Sequence, residues 1–284
     1  MPRKDLELLA GAIDFHIHVN PDTKERLLDG FDAAQQAKAA GMKAVVLKSH
    51  HTPSAVQAVM VSKIVEGVDV FGGVTLNASV GGFNPHAVEV AIKHDAKVIW
   101  MPTVSAASHL KSKGKPYADG LSVFAGGLDN PGEVRPEVRE ILDLVARAGI
   151  VLATSHLSCG EVMALLDEAK RIGLNKVVVN HPQNKCVGMT IDMQREAAEK
   201  GAYLEQCFNF CTPHLPLLKP DDFAAAIRAV GPSRCIMATD MGQVDNFPPV
   251  EGLRVFIRMM LDRGIEDTWI KTMTCENPTR LLYE

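Results

Sequence analysis

Short apolar runs alternate with amphipathic stretches along almost the whole chain. Eight runs rich in Val, Ile, Leu and Ala begin near Ala12, Lys43, Val68, Ala96, Ile150, Lys176, Ala202 and Cys235. Each is too short for a helix and reads as a buried strand. Between them lie helix-forming segments: Phe31–Ala40 before Gly41, the stretch from Pro53 to about Glu66, and 84–94. Pro136–Ala148, Gly160–Ile172, Ile191–Lys200, 221–230, 250–263 and 267–283 follow. Residues 3–10 read as a short leading helix or cap. Unbroken apolar strands alternating with helices predict a parallel sheet covered on its faces. Eight such units predict an α/β fold, a (β/α)8 TIM barrel, with residues 1–284 as one domain. An open doubly wound sheet is the runner-up, but no Gly-x-Gly-x-x-Gly follows the first strand. The regular spacing breaks once, at 102–136. This Gly-, Ser- and Lys-rich stretch is expected to be an extended loop after the fourth strand, closing over substrate or serving as an oligomer contact.

The polar residues interrupt this pattern where a barrel would place chemistry. In Ala12–Asn20, His16 and His18 share one face of the first strand, with Phe15, Ile17 and Val19 on the other. Lys48, His50 and His51 close the second strand, His156 the fifth and His181 the sixth. Glu205 lies on the seventh, and Asp240 closes the eighth. Catalytic groups of TIM barrels sit at C-terminal strand ends. Four imidazoles and a carboxylate at such ends suit Zn²⁺, with Mn²⁺, Fe²⁺ or Ni²⁺ as alternatives. A metal lowers the pKa of bound water to about 7, and a neighbouring carboxylate, here Asp240, can move the proton.

The bland readings stand beside these. His50 either lines the site and touches substrate or caps the following helix. Lys48 is a cation for an anionic substrate group or a rim lysine. Glu205 contacts the site by orienting a ligand histidine or touching substrate, or it pairs with a base elsewhere. His86, His94, His109 and His214 read as ordinary, although His109 has reach to the mouth from the long loop and His214, in the loop after the seventh strand, has reach to substrate. Cys207 and Cys211 read as buried thiols.

At this point the residues resemble the amidohydrolase superfamily of metal-dependent hydrolases. The resemblance rests on His16-Ile17-His18, His156, His181, Thr239-Asp240 and the closing Asn277-Pro278-Thr279-Arg280-Leu281-Leu282. It implies that His16 and His18 bind a buried metal with Asp240. It further implies that His156 and His181 bind a second, more exposed metal, or that one of them acts on substrate in a one-metal site. Asp240 would be the general acid/base, with His181 as a further catalytic residue. Members with two metals often bridge them through a carbamylated lysine after the fourth strand. Here that strand ends Trp100-Met101-Pro102-Thr103, so Lys48 is the nearest candidate. The implied reaction is hydrolysis of a C–N or C–O bond in an amide, cyclic amide or lactone. A one-metal decarboxylase, a phosphoesterase and a non-catalytic metal-binding barrel are the alternatives.

Composition narrows the setting. The chain is 46% hydrophobic and 23% charged over 284 residues. That is an ordinary globular profile. A net charge of −4 gives no reason to expect nucleic acid or an anionic membrane as partner. No apolar run reaches the roughly 20 residues of a transmembrane helix. Acidic residues within Met1–Glu7 argue against a signal peptide. The six cysteines read as reduced thiols rather than a disulfide framework. A cytoplasmic enzyme acting on a small molecule is expected. Met259-Met260 reads as core or subunit contact, and a homo-oligomer is expected.

Overall fold

The computed structural model describes residues 3–284; Met1 and Pro2, where the N-terminal reading begins, lie outside them. The strands are β1 (Ile13–Ile17), β2 (Ala44–Leu47), β3 (Asp69–Phe71), β4 (Gly73–Thr75), β5 (Val98–Trp100), β6 (Val151–Ala153), β7 (Val177–Asn180), β8 (Tyr203–Cys207) and β9 (Cys235–Ala238). The single third strand expected over 68–76 is divided. β3 pairs with β2, and β4 pairs with β5. Gly72 stands at the break, where a Cβ would lie 2.6 Å from the carbonyl oxygen of Ser54. The fourth to eighth predicted strands are therefore β5 to β9.

The described chain divides into two compact units. One combines the residues up to Ser49, Ser54–Gly72 and Glu205–Glu284. Its strands β1, β2 and β3 are parallel and adjacent in that order. The end of β9 runs beside β1: Asp240 N donates to His16 O at 2.8 Å and His18 N to Met241 O at 2.7 Å. Gly242 is required there, because a Cβ would overlap the His18 carbonyl. Its φ of 137° also lies where side chains are disfavoured. Helix α1 covers Lys4–Glu7, shorter than the 3–10 expected. Helices α2 (Gly30–Ala39) and α3 (Ala55–Ile64) follow β1 and β2. Asp29 caps α2 by accepting from Phe31 N and Asp32 N. The core of this unit includes Phe208 stacked on Phe256 at 5.3 Å, with Phe223 edge-on to Phe256. Both are favoured arrangements of aromatic rings.

The other unit combines His50–Pro53 with Gly73–Leu204. Its strands β4, β5, β6 and β7 are parallel and in order. Each is buried on both faces, which is why no hydrophobic alternation marked them. Helices α4 (Pro85–Lys93), α5 (Ala107–Ser112), α6 (Pro136–Ala148), α7 (Cys159–Ile172) and α8 (Ile191–Glu199) follow their strands. The extended loop expected after the fourth predicted strand follows β5. It contains α5, and short bridges join Ala106 to Leu121 and Phe124 to Val134. Buried Glu161 anchors it by accepting from Ser122 Oγ (2.7 Å) and Val123 N (3.1 Å). The same carboxylate closes the N-terminal capping box of α7 with Ser158.

The first unit is completed by α9 (Pro220–Val230), α10 (Pro249–Leu261), α11 (Asp267–Lys271) and α12 (Asn277–Tyr283). The helix expected over 267–283 is interrupted by a wider turn at Thr272–Glu276, just before Pro278. No helix among the described residues is long and apolar enough to cross a membrane.

Candidate metal centre

The first unit gathers Asp14, His16, His18, Glu205, Cys207 and Asp240. Asp14, His16 and His18 occupy alternate positions of the first strand and its extension, so their side chains share a face. Asp14 accepts from Thr239 N at 3.0 Å and from Thr239 Oγ1 at 2.6 Å. That contact, with the backbone bonds of β9, delivers Asp240 to the histidines. Asp240 Oδ1 lies 3.1 Å from His16 Nε2 and 3.0 Å from His18 Nε2. The other ring nitrogen of His16, Nδ1, lies 3.2 Å from Glu205 Oε2. Cys207 Sγ donates to the same carboxylate oxygen at 3.4 Å. Glu205 and Cys207 are two apart on β8 and therefore point the same way.

Burial sets the electrostatics. The side chains of His16 and His18 are 1% and 2% exposed, whereas that of Asp240 is 12% exposed, so the carboxylate is the member nearest to solvent. Burial pushes the His18 imidazole down to about 4, against the opposing pull of Asp240, which leaves the ring neutral at pH 7. Burial pushes Asp14 up to about 7, against the Thr239 hydrogen bonds. Burial, with the Glu205 charge beside it, raises the Cys207 thiol well above its ordinary value.

Two imidazoles and a carboxylate suit a divalent ion. Ligand bonds of about 2.0–2.2 Å imply neighbouring ligand atoms roughly 3.3–3.6 Å apart in a tetrahedral site. The Asp240 contacts fall a few tenths of an ångström inside that spacing, and Nε2 is the His16 nitrogen that faces away from Glu205. The residues fit a metal ion of the zinc type.

The second unit gathers His50, His109, His156 and His181. His156 stands between His109, stacked at 4.8 Å between ring centroids, and His181, edge-on at 4.9 Å. His50 is 6.2 Å from His156. The Nδ1 atoms of His109 and His156 are 2.9 Å apart, and each ring brings a nitrogen within 4.8 Å of Cys186 Sγ. His50 is fixed by the buried side chain of Asn77, which donates to His50 O (2.8 Å) and to Thr103 Oγ1 (2.6 Å). Thr103 Oγ1 in turn contacts His50 Nδ1 at 2.9 Å.

The sequence-predicted residues thus fall into two sets. His16, His18, Glu205 and Asp240 meet in the first unit, and His50, His156 and His181 meet in the second. Lys48 belongs to the first unit and is buried directly after β2, where its backbone N–H donates to Ile17 O at 2.8 Å. His109, the one of the four remaining histidines given reach from the long loop, is held by α5 against His156. Asp14, Asn77, Cys186 and Cys207 were not singled out as part of a site. Asp14 and Cys207 carried a signal: each is two residues from a chosen residue on the same strand.

Three of the four described non-glycine residues with positive φ are Ser155 (55°), His181 (32°) and Asp240 (55°), each just past the end of β6, β7 or β9. Such backbone is uncommon outside glycine and concentrates where side chains are aimed for function.

A family profile described as a family of unknown function, DUF6282, matches residues 11–205. The chain belongs to the DUF6282 family. The DUF6282 match includes His16, His18, Lys48, His50, His156, His181 and Glu205 and ends before Asp240. No curated protein matches the sequence. Among solved structures, an amidohydrolase from Pseudomonas aeruginosa aligns over 98% of each chain, with a TM-score of 0.65 at 15% identity. The probable dipeptidase PvdM from Pseudomonas aeruginosa aligns over 99% of this chain and 98% of its own, with a TM-score of 0.70 at 12% identity. The lactonase Lmo2620 from Listeria monocytogenes aligns over 96% and 95%, with a TM-score of 0.57 at 14% identity. The likeness gives this DUF6282 chain its fold, a (β/α)8 barrel.

Proposed function

We propose that the protein is a metal-dependent hydrolase of C–N or C–O bonds, acting on an amide, a cyclic amide or a lactone. The observation that carries this reading is Asp240, whose Oδ1 touches Nε2 of both His16 and His18 at the C-terminal ends of β1 and β9. His16, His18 and Asp240 would hold one ion. His156 and His181 would hold a second ion, or His181 would act directly on substrate. Lys48 would act as a cation for the substrate or, once carbamylated, as a metal ligand, and His50 would touch substrate. When bound, the ion supplies Lewis acidity toward the substrate carbonyl and acidifies water. Asp240 takes the proton from the attacking water and returns it to the leaving nitrogen or oxygen. Its greater exposure suits that shuttle, while Glu205, fully buried on His16 Nδ1, holds the ring with Nε2 toward the ion.

Zn²⁺ fits the ligand types best, with Mn²⁺, Fe²⁺ or Ni²⁺ as alternatives. Likeness over 98% of both chains to a solved amidohydrolase supports residues 1–284 acting as one catalytic domain. All six cysteines are thiols, which agrees with a reducing, cytoplasmic setting. Val56, Met60 and Ile64 form an exposed apolar stripe on α3, at 48%, 52% and 63% exposure. Such a stripe supports a homo-oligomer.

Metal analysis of gently purified protein should find about one to two equivalents per chain. A panel of lactones, amides, phosphoesters and aromatic carboxylates then reads the reaction. Turnover on a lactone or amide, lost in the His16→Ala and His18→Ala variants, supports the proposal. Protein without metal that gains none on reconstitution overturns it. Activity confined to phosphoesters or carboxylates selects the phosphoesterase or decarboxylase alternative. Metal bound without any turnover selects the non-catalytic barrel.

A further inference from the structure

We propose a thiolate-containing metal site in the second unit, formed by His109, His156 and Cys186. The three residues come from successive strand-end segments: His109 from α5 after β5, His156 from the turn after β6, and Cys186 from the loop after β7. One imidazole nitrogen of each histidine and the Cys186 Sγ all lie within 4.8 Å of one another. In a tetrahedral zinc site, bonds of about 2.0 Å to nitrogen and 2.3 Å to sulfur separate neighbouring ligand atoms by roughly 3.3–3.7 Å. The 2.9 Å between the two imidazole nitrogens needs only a few tenths of an ångström of opening to meet that spacing.

The backbone holds this trio in place. Ser108, next to His109, donates its hydroxyl to the carbonyl oxygen of Cys186. The Cys186 loop is closed on itself, with Asn184 N bonded to His181 O at 2.9 Å and Met189 N to Pro182 O at 3.0 Å. Cys159 N, at the start of α7, donates to Val187 O at 2.8 Å. Three segments are thus cross-linked close to the trio, and Cys186 itself is buried. One thiolate and two imidazoles select a borderline-soft ion such as Zn²⁺ over Mg²⁺ or Mn²⁺. Binding breaks the S–H bond of Cys186, forms the metal–sulfur bond, and releases the proton to solvent. Three protein ligands leave a fourth position open. The site shares His156 with the functional reading above but requires no turnover, so the two fail separately.

Chelator-stripped, full-length protein titrated with Co²⁺ provides the test. A saturable near-ultraviolet thiolate-to-cobalt charge-transfer band is expected. It should vanish in Cys186→Ser, persist in Cys207→Ser, and require about tenfold or more Co²⁺ in His109→Ala. Absence of the band from the wild-type protein, or its survival in Cys186→Ser, overturns the proposal. X-ray absorption on the zinc-loaded protein is a second readout. A sulfur shell at about 2.3 Å, averaged over the bound ions and retained in Cys207→Ser, supports the site, and a shell of nitrogen and oxygen alone overturns it.

Discussion

Asp14 and Thr239 join β1 to the end of β9 through two hydrogen bonds, at 3.0 Å from the Thr239 backbone N–H and 2.6 Å from its hydroxyl. Both residues are fully buried, and Thr239 immediately precedes Asp240. Replacing the hydroxyl by a methyl group in Thr239→Val keeps the volume but leaves one buried carboxyl oxygen without its donor. A loss of about 1–3 kcal/mol is expected in urea denaturation of the metal-free protein. Metal affinity should fall as well, because Asp240 loses the anchor beside it. A variant as stable as wild type would show that Asp14 does not hold this junction.

Glu205→Gln tests the orientation of His16. The amide preserves shape but offers a neutral oxygen to Nδ1 in place of a buried carboxylate. Loss of such a partner to a ligand histidine weakens metal affinity by about 10–100-fold. Competition with a chromophoric chelator measures this directly. Unchanged affinity would mean that Glu205 serves packing and not the ion.

Most elements were legible because their apolar runs are strong and their ends are marked. Pro136–Ala148 starts on a proline and stops at Gly149. The site was legible for a different reason. His16, His18, His156, His181 and Asp240 stand out because ionisable residues at the ends of apolar strands have few structural excuses. What escaped is long-range. Gly72 divides the third strand because Ser54 packs against it, a contact that local pattern does not contain. His109 resembled a loop residue until α5 and the Ser108–Cys186 tie brought it to His156. Asp14 was overlooked although strand periodicity already put it on the face of His16 and His18.

Metal-free protein should also show how two buried groups offset one another. His18 sits at about 4 in the folded state against an ordinary 6.5, so between these values the unfolded chain binds the extra proton. That alone makes stability rise with pH. Asp14 sits at about 7 against an ordinary 3.8, so over the same window the folded chain binds the extra proton. That alone makes stability fall with pH. The two contributions cancel in the wild-type protein. Asp14→Asn removes the second and leaves a slope approaching about 1.4 kcal/mol per pH unit. Stability of that variant then increases from pH 4 toward 6.5, the window set by His18. Denaturation midpoints of both proteins across this range decide the matter, and parallel profiles would refute the compensation.

Asn77 offers a test of the second unit that touches no proposed ligand. Its fully buried side chain accepts from Thr103 N (2.9 Å) and Ser105 N (3.1 Å) and donates to His50 O and Thr103 Oγ1. One amide thereby fixes the start of the segment that carries α5 and the backbone of His50. Asn77→Asp keeps the acceptors for both N–H groups but replaces the donor by an oxygen facing the His50 carbonyl. Asn77→Ala removes both functions and leaves the buried Thr103 N–H and the partly buried Ser105 N–H without their acceptor, the buried one costing about 1–3 kcal/mol. Asn77→Ala should therefore be less stable than wild type. Amide exchange at Thr103 and Ser105 should accelerate in Asn77→Ala and stay slow in Asn77→Asp, since only the latter retains their acceptor. Equal exchange in the two variants would show that the turn is held by the surrounding packing and not by this side chain.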